Sequence, residues 1–419
     1  MGTPLRNWAG NHTYRAAELL RPTSLEELRD VVRAAERLHV LGSRHCFNDI
    51  ADAPVLVSLD GMPHLLELDT AARTVRLSGG MRYGTLAAAL HERGWAVHNL
   101  ASLPHISVAG AIATATHGSG DRHRNLAGAV AGMQLLTSDG EVREIVRGDP
   151  DLDGVVVSLG TLGVVTEVTL EIEPTYDVVQ RVDTGLPWDQ ALPNLAEILA
   201  GADSVSLFTD WRGPVLGQVW RKDRVGSGRA DPRRFGAAAA TTEMHPISSV
   251  DPVNTTAQLG VAGPWHERLP HFRMGFTPSS GEELQTEYFV GREDATGALE
   301  AVRAMAEEVS EVLLISEVRT VARDELWLST AQGRDTVGLH FTWQPRQADV
   351  EALLPRLEEA LLPFAPRPHW GKLFTAAVAG RPDRLEALYP HLPDFRALAA
   401  RLDPRGAFLN DFVLRHGLR

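Results

Sequence analysis

The chain has 419 residues, 54 acidic against 41 basic side chains for a formal charge of −13, 44% hydrophobic residues and one cysteine. Single cores rarely grow beyond about 250 to 300 residues, so two or three domains are expected, and the negative charge argues against sequence-independent nucleic-acid binding, which needs a field of the other sign. The lone Cys46 excludes an internal disulfide, and the sequence shows neither a signal-peptide pattern nor an apolar run of about 18 residues, so a cytoplasmic protein free of the membrane is expected.

Ser24-Leu25-Glu26-Glu27 is a capping box that opens a predicted helix to about Leu38, with Leu25, Leu28, Val31, Val32 and Ala35 as its buried stripe. An apolar strand, His39 to Leu41, follows. The turn Gly42-Ser43-Arg44-His45-Cys46 therefore lies at the carboxyl end of a strand, where α/β units place ligands. Such a turn frees backbone N–H groups to wrap a phosphate and aims the His45 imidazole at whatever the phosphate carries. Strands Val55 to Leu59, Leu65 to Asp69 and Thr74 to Leu77 come next, then a helix from about Thr85 to Arg93.

From Ser107 to Gly120 nearly every side chain is small. A run this small makes poor core, and suits a flat or extended group lying against its backbone. Ala129 to Glu144 reads as a hairpin around Ser138-Asp139-Gly140, and Leu159 to Val165 feeds a strand ending near Pro174. The texture then changes. Tyr176 to about Arg367 mixes strands (Ser204 to Phe208, Leu313 to Val321, Thr336 to Trp343) with helices (Asp294 to Val309, Ala348 to Leu362) and a Pro/Gly-rich passage, Gly226 to Pro270. A domain boundary is expected near residues 175 to 180, and the turn-rich Leu402 to Phe412 is expected to return to the first domain.

Two strands of the second half carry polar pairs at period-two spacing, which puts each pair on one face. These are Glu317 with Arg319, and His340 with Thr342. Lysine occurs only at Lys222 and Lys372, the latter among aromatic and aliphatic neighbours in Trp370-Gly371-Lys372-Leu373-Phe374. Charged groups are rarely buried unpaired. Together these residues suit a pocket for a molecule bearing many hydroxyls.

Gly42-Ser43-Arg44-His45, the segment Ser102-Leu103-Pro104-His105-Ile106-Ser107-Val108-Ala109-Gly110 through Thr116-His117-Gly118, Leu159-Gly160-Thr161-Leu162-Gly163-Val164-Val165, Glu317-Val318-Arg319, His340-Phe341-Thr342-Trp343 and His369-Trp370-Gly371-Lys372 carry a resemblance. With them the chain resembles, nearly end to end, the alditol and xylitol oxidases of the vanillyl-alcohol-oxidase (PCMH) type of FAD flavoproteins. The resemblance implies an α+β fold: a two-subdomain PCMH-type FAD-binding domain at 1–178, a substrate domain with a large antiparallel sheet flanked by helices at 179–380, and a C-terminal segment, 381–419, returning to the first. It implies FAD joined covalently through a ring nitrogen of His45 to the flavin 8α-methyl group. Val40, Leu41, Gly42, Ser43, Arg44, Cys46, Ser102, Ser107, Gly110, Thr114, Ala115, Thr116, His117 and Val165 would contact the cofactor. Ser102, Glu317, Arg319, Thr342 and Lys372 match substrate-contacting positions, with His340 nearby.

The implied reaction takes a terminal CH–OH of a linear polyol, xylitol or sorbitol for instance, to the aldehyde while dioxygen becomes hydrogen peroxide. Lys372 and Arg319 are candidates for stabilising the developing alkoxide, and His340 for accepting the proton, with a neutral Lys372 as competing base. Polyol and dioxygen are the expected partners of a monomer. The sequence departs from the family's Gly-Ser-Gly-His-Ser pattern at Arg44 and Cys46. Arg44 either strains the turn, where the glycine has positive φ, or adds a charge near the pyrophosphate. An aldonolactone oxidase or dehydrogenase of the same fold is the alternative. A metal-dependent hydrolase, suggested by 16 histidines, lacks any His-x-x-x-His or Cys-x-x-Cys spacing, so no metal is expected; a non-catalytic carbohydrate-binding protein would leave the small-residue run without a purpose.

Overall fold

The computed structural model describes residues 4–16, 19–229, 232–275, 283–379 and 382–419. The first helix, Leu25–Ala34, is capped by Ser24, whose side chain accepts from Glu27 N, as the capping box predicts. It stops short of Leu38 because Leu38 is already a strand residue: its amide donates to Ala407 O at 2.8 Å and it pairs with Val55. The parallel strands Leu38–Val40, Val55–Val57 and Leu19–Leu20 form a three-stranded sheet. A second sheet of five antiparallel strands follows the order Leu66–Asp69, Thr74–Ser78, Val164–Glu171, Val130–Leu136, Val142–Val146, the last two being the expected hairpin.

The small-residue run is a short helix, Val108–Ala113, followed by a loop that reverses at Ala115 with φ 53°. The tail hydrogen-bonds to the amino-terminal segment. His39 Nε2 donates to Phe408 O at 2.8 Å, and Asn410 Nδ2 to Ile50 O at 2.9 Å. It is more helical than its turn residues suggest, because Leu392–Leu402 and Asp411–Arg415 bury apolar stripes around the one predicted turn.

Asp177–Pro187 opens a nine-stranded antiparallel sheet whose central strands are Ser204–Thr209, Leu313–Val321, Thr336–Trp343 and Leu284–Gly291, in that spatial order. Every residue of Thr336–Trp343 is buried. Its odd positions, Val337, Leu339, Phe341 and Trp343, join the core with Leu299, Val302, Leu354 and Leu357 from the helices Ala295–Ala304 and Gln347–Leu361. The predicted helix from Asp294 to Val309 is thus two, with Met305 at the break before Ala306–Val312. Because one face of the sheet is committed to helices, the even-numbered His340 and Thr342 must point the other way.

Candidate active site

A cavity of about 910 Å³ opens between the small-residue wall and that second sheet face. On the first wall the turn at Gly42 packs so tightly on Ser107 that a Cβ at Gly42 would collide with Ser107 Oγ, and one at Gly110 would lie 2.6 Å from it. Arg44 holds φ 63°, so the turn keeps the left-handed conformation that a glycine adopts at no steric cost. Its exposed guanidinium donates to Arg6 O at 3.3 Å. Beside it the His45 ring stacks on Trp8 with centroids 5.2 Å apart. Both His45 ring nitrogens are buried at the cavity wall without a hydrogen-bond partner. Burial, aided by neighbouring His105, pulls this imidazole down to about 4, so it is neutral at pH 7.

The opposite wall is charged, and strand register builds it. Across the sheet Glu317 pairs with His340, and His340 pairs with Glu287 on the next strand, so the three side chains form one row. Lys372 Nζ donates to Glu287 Oε2 at 2.6 Å and to His340 Nδ1 at 2.7 Å. His340 Nε2 lies 3.0 Å from Thr342 Oγ1. His271 Nε2 lies 2.7 Å from Glu317 Oε1, and Arg319 bridges the walls by donating to Ser102 Oγ at 3.1 Å. Opposite Arg319 stands Gly338, where a Cβ would lie 3.3 Å from Glu287 Oε1; its absence lets the guanidinium come within 3.7 Å of that carboxylate.

Backbone contacts fix the distance between the walls. Phe47 N donates to Gly371 O at 2.7 Å, and Asn48 Nδ2 donates to Trp370 O and Lys372 O, both at 2.8 Å. The turn that carries Lys372 is therefore tied to the turn that carries His45.

Burial alone would raise the Glu287 carboxyl, but Lys372 and His117 outweigh it and hold the group well below the usual carboxylate range. Glu317 is likewise lowered, by Arg319 and His271 against burial. Burial and the Lys372 charge pull His340 down to about 4, leaving a neutral ring whose Nδ1 accepts from the ammonium. Burial also lowers Lys372, with Glu287 opposing. The site is thus two carboxylates and two cations interleaved with neutral imidazoles.

Of the residues expected from sequence, Val40 to Cys46, Ser102, Ser107, Gly110, Thr114, Thr116, His117, Glu317, Arg319, His340, Thr342 and Lys372 all line this cavity. Val165 lines a smaller adjoining cavity of about 90 Å³, which shares Val40 to Ser43, Ser107 and Gly110 with the larger. Ala115 lines neither: it is fully buried, and its left-handed backbone turns the flanking Thr114 and Thr116 so that their hydroxyls meet at 3.1 Å. Glu287 and His271 line the cavity without having been expected there, and His369 entered the sequence reading only within the His369-Trp370-Gly371-Lys372 segment. Glu287 was within reach of that reading, since Gln285 and Glu287 fall on one face of Leu284–Gly291 at the same period-two spacing as Glu317 and Arg319. His271 follows the Pro/Gly-rich passage and carries no periodicity. Among the described residues no group of three or more His, Cys, Asp or Glu could hold a metal ion, and no helix is long and apolar enough to cross a membrane.

Comparison with known proteins extends this geometry. A family model described as FAD binding domain matches residues 16–146, and one described as D-arabinono-1,4-lactone oxidase matches 281–416. The chain is 51% identical to an alditol oxidase from Streptomyces sp. (strain IKD472 / FERM P-14339), over 99% of each chain. It is 31% identical to L-gulono-1,4-lactone dehydrogenase from Mycobacterium tuberculosis, over 98% of each. Among solved structures, cholesterol oxidase from B. sterolicum superposes with a TM-score of 0.77 at 13% identity, covering 98% of this chain and 96% of that one, a likeness of fold.

Proposed function

The chain belongs to the alditol oxidase family of PCMH-type FAD flavoproteins, and from that premise we propose that it oxidises the terminal CH–OH of linear polyols such as xylitol and sorbitol to the aldehyde, with dioxygen reduced to hydrogen peroxide. The observation that carries the proposal is the pairing of walls: an unpartnered, neutral imidazole on a small-residue surface faces a lysine held between a carboxylate and a second neutral imidazole. His45 fits the role of covalent anchor, because a buried ring nitrogen with no hydrogen bond is free to form another bond. Val40 to Cys46, Ser107, Gly110, Thr114, Thr116 and His117 would hold FAD along the first wall, and Val165 would do so in the adjoining cavity. FAD held there would supply the hydride acceptor and the redox chemistry with dioxygen.

The protein's own groups manage the proton. Lys372 has three N–H donors; Glu287 and His340 take two, which leaves one for the substrate hydroxyl oxygen. That contact strengthens as the oxygen becomes an alkoxide, and strengthens further where water is excluded. The hydroxyl proton then has a short route: Nζ passes a proton to Nδ1 of His340 and accepts the substrate's in return. Glu287 Oε2, 3.6 Å from Nδ1, stabilises the imidazolium that results. Glu317, Arg319, Ser102 and Thr342 fix the remaining hydroxyls and hold the reacting carbon in place.

A peroxide assay under air with xylitol and sorbitol tests the activity: turnover of polyols is expected, and none with either would reject the proposal. Acid precipitation tests the anchor, because flavin left wholly in the supernatant excludes a bond to His45. A second reading, oxidation of a sugar lactone, is favoured by the family model matched at 281–416. A sugar lactone in the same assay decides between them, and faster peroxide release from the lactone than from xylitol would select it.

A further inference from the structure

The mechanism leaves one lysine unused. Lys222, on the strand Val215–Arg224, is fully buried and donates to Leu269 O, to Pro270 O at 3.2 Å and to His271 Nδ1 at 3.3 Å. These three contacts use all three donors of an ammonium. An ionised carboxylate only accepts, so the His271 proton sits on Nε2, facing Glu317, and Nδ1 is the acceptor toward Lys222 Nζ. Nε2–H then points at Glu317 Oε1, 2.7 Å away. The ring cannot turn away from this alignment, because Phe208 and Trp220 pack against it with centroids 5.5 and 5.3 Å distant. Among the described residues Glu317 Oε2 accepts no hydrogen bond, and Glu317 lines the cavity.

We propose that Lys222 and His271 are positioning residues that act through Glu317: they fix one carboxylate oxygen so that the other is presented, charged and unshared, to a hydroxyl of the polyol beyond the reacting carbon. The inference rests on the polyol reading above and adds the device that selects for a hydroxylated chain. Recognition of that hydroxyl depends on a residue that does not line the cavity. Without the Lys222 donor, His271 can carry its proton on Nδ1, and Nε2 then turns a lone pair toward a carboxylate. Without the presented oxygen, a polyol loses its partner, whereas an alcohol lacking the distal hydroxyl loses nothing.

The experiment uses the FAD-loaded enzyme and its Lys222→Met and His271→Gln variants, with xylitol and 1,2-propanediol as substrates. Lys222→Met is expected to raise KM for xylitol about tenfold or more, with kcat within about threefold and KM for 1,2-propanediol unchanged. His271→Gln, whose amide N–H still reaches Glu317, is expected to keep KM for xylitol within about threefold of the parent. Equal losses on both substrates, or a xylitol KM within about twofold of the parent in Lys222→Met, would overturn the proposal. Ring-nitrogen NMR of histidine-labelled protein tests the same device without any substrate. His271 is expected as the Nε2–H form in the parent and changed in Lys222→Met; an Nδ1–H form in the parent refutes the device. A parent inactive on every polyol would reject the polyol reading instead, while the NMR result still decides the tautomer.

Discussion

The chain's two lysines make the same contact in two settings. Lys372 and Lys222 each donate to Nδ1 of a buried histidine, at 2.7 and 3.3 Å. What differs is the rest of the shell. Lys372 also meets the Glu287 carboxylate, whereas Lys222 meets only the backbone carbonyls of Leu269 and Pro270. Burial pulls Lys222 down to about 7, with Glu317 resisting from a distance; Lys372, which lines the cavity, is also lowered by burial but has its counter-ion in contact. A carboxylate in contact keeps an ammonium charged where it must meet a developing anion, whereas two carbonyls leave Lys222 close to its neutral form at pH 7, in which it still has N–H donors for the ring. The histidines divide accordingly: Nε2 of His340 faces a hydroxyl inside the cavity, and Nε2 of His271 faces a carboxylate at its edge.

The largest effect should come from breaking the cavity pair. Lys372→Met removes the donor to the reacting oxygen and the proton's route together, and anaerobic flavin reduction by xylitol is expected to fall by about 10³-fold or more. A fall within about tenfold would take Lys372 out of the chemistry and make the two lysines equivalent.

Making the two shells alike sharpens the contrast. Glu287→Gln turns the partner of Lys372 from a carboxylate into an amide, the kind of group Lys222 has. Glu287 raises the Lys372 pKa, so its loss lowers it, and the alkaline limb of the kcat profile is expected to move to lower pH. At pH 8 the rate should drop about 10- to 100-fold, with partial recovery near pH 6. An unmoved limb would mean that Glu287 does not set the charge on Lys372.

Acid unfolding probes what both histidines share. His271 and His340 lie near 4 in the folded protein, below the usual 6.5, so the unfolded chain binds more protons between those values. Stability is therefore expected to fall as pH drops from 6.5 towards 4, by up to about 1.4 kcal/mol per pH unit for each such histidine. Glu287 and Glu317, held below their ordinary range, contribute stability above pH ~4.5 that is lost on further acidification. His271→Gln should make the upper window shallower by about one proton, measured by thermal unfolding across pH. An unchanged slope would show that His271 is already protonated in the fold.

These contrasts also show what a sequence can hold. Alternation along a strand exposed Glu317, Arg319, His340 and Thr342, because period two is a local property of the chain. The partner of Lys372 is set by register between strands some fifty residues apart, and pairing of His340 with Glu287 is not written in either strand alone. His271 lies further beyond local reading: it is placed by the passage that follows the Pro/Gly-rich segment, and its contacts with Lys222 and Glu317 give it a role. The helix at Val108–Ala113 is legible as a bed of small residues, but the reversal at Ala115 is not, since nothing local marks alanine for a left-handed φ.

The smallest effect is expected at Arg44, whose side chain meets neither lysine. A non-glycine residue at φ 63° costs roughly 1–2 kcal/mol against a right-handed one, and glycine there would avoid that cost. Glycine also widens the unfolded ensemble, which takes back about 0.4–1 kcal/mol. The Arg44 guanidinium offers little in exchange, a 3.3 Å contact from an exposed group to Arg6 O. Arg44→Gly should therefore stabilise by about 0.5 kcal/mol and leave flavin content and the xylitol rate unchanged. A loss of bound flavin with an unchanged unfolding midpoint would instead assign the arginine's charge to the cofactor's phosphates. The strain at this turn would then be retained for binding, in the way that Lys222 is retained for orientation.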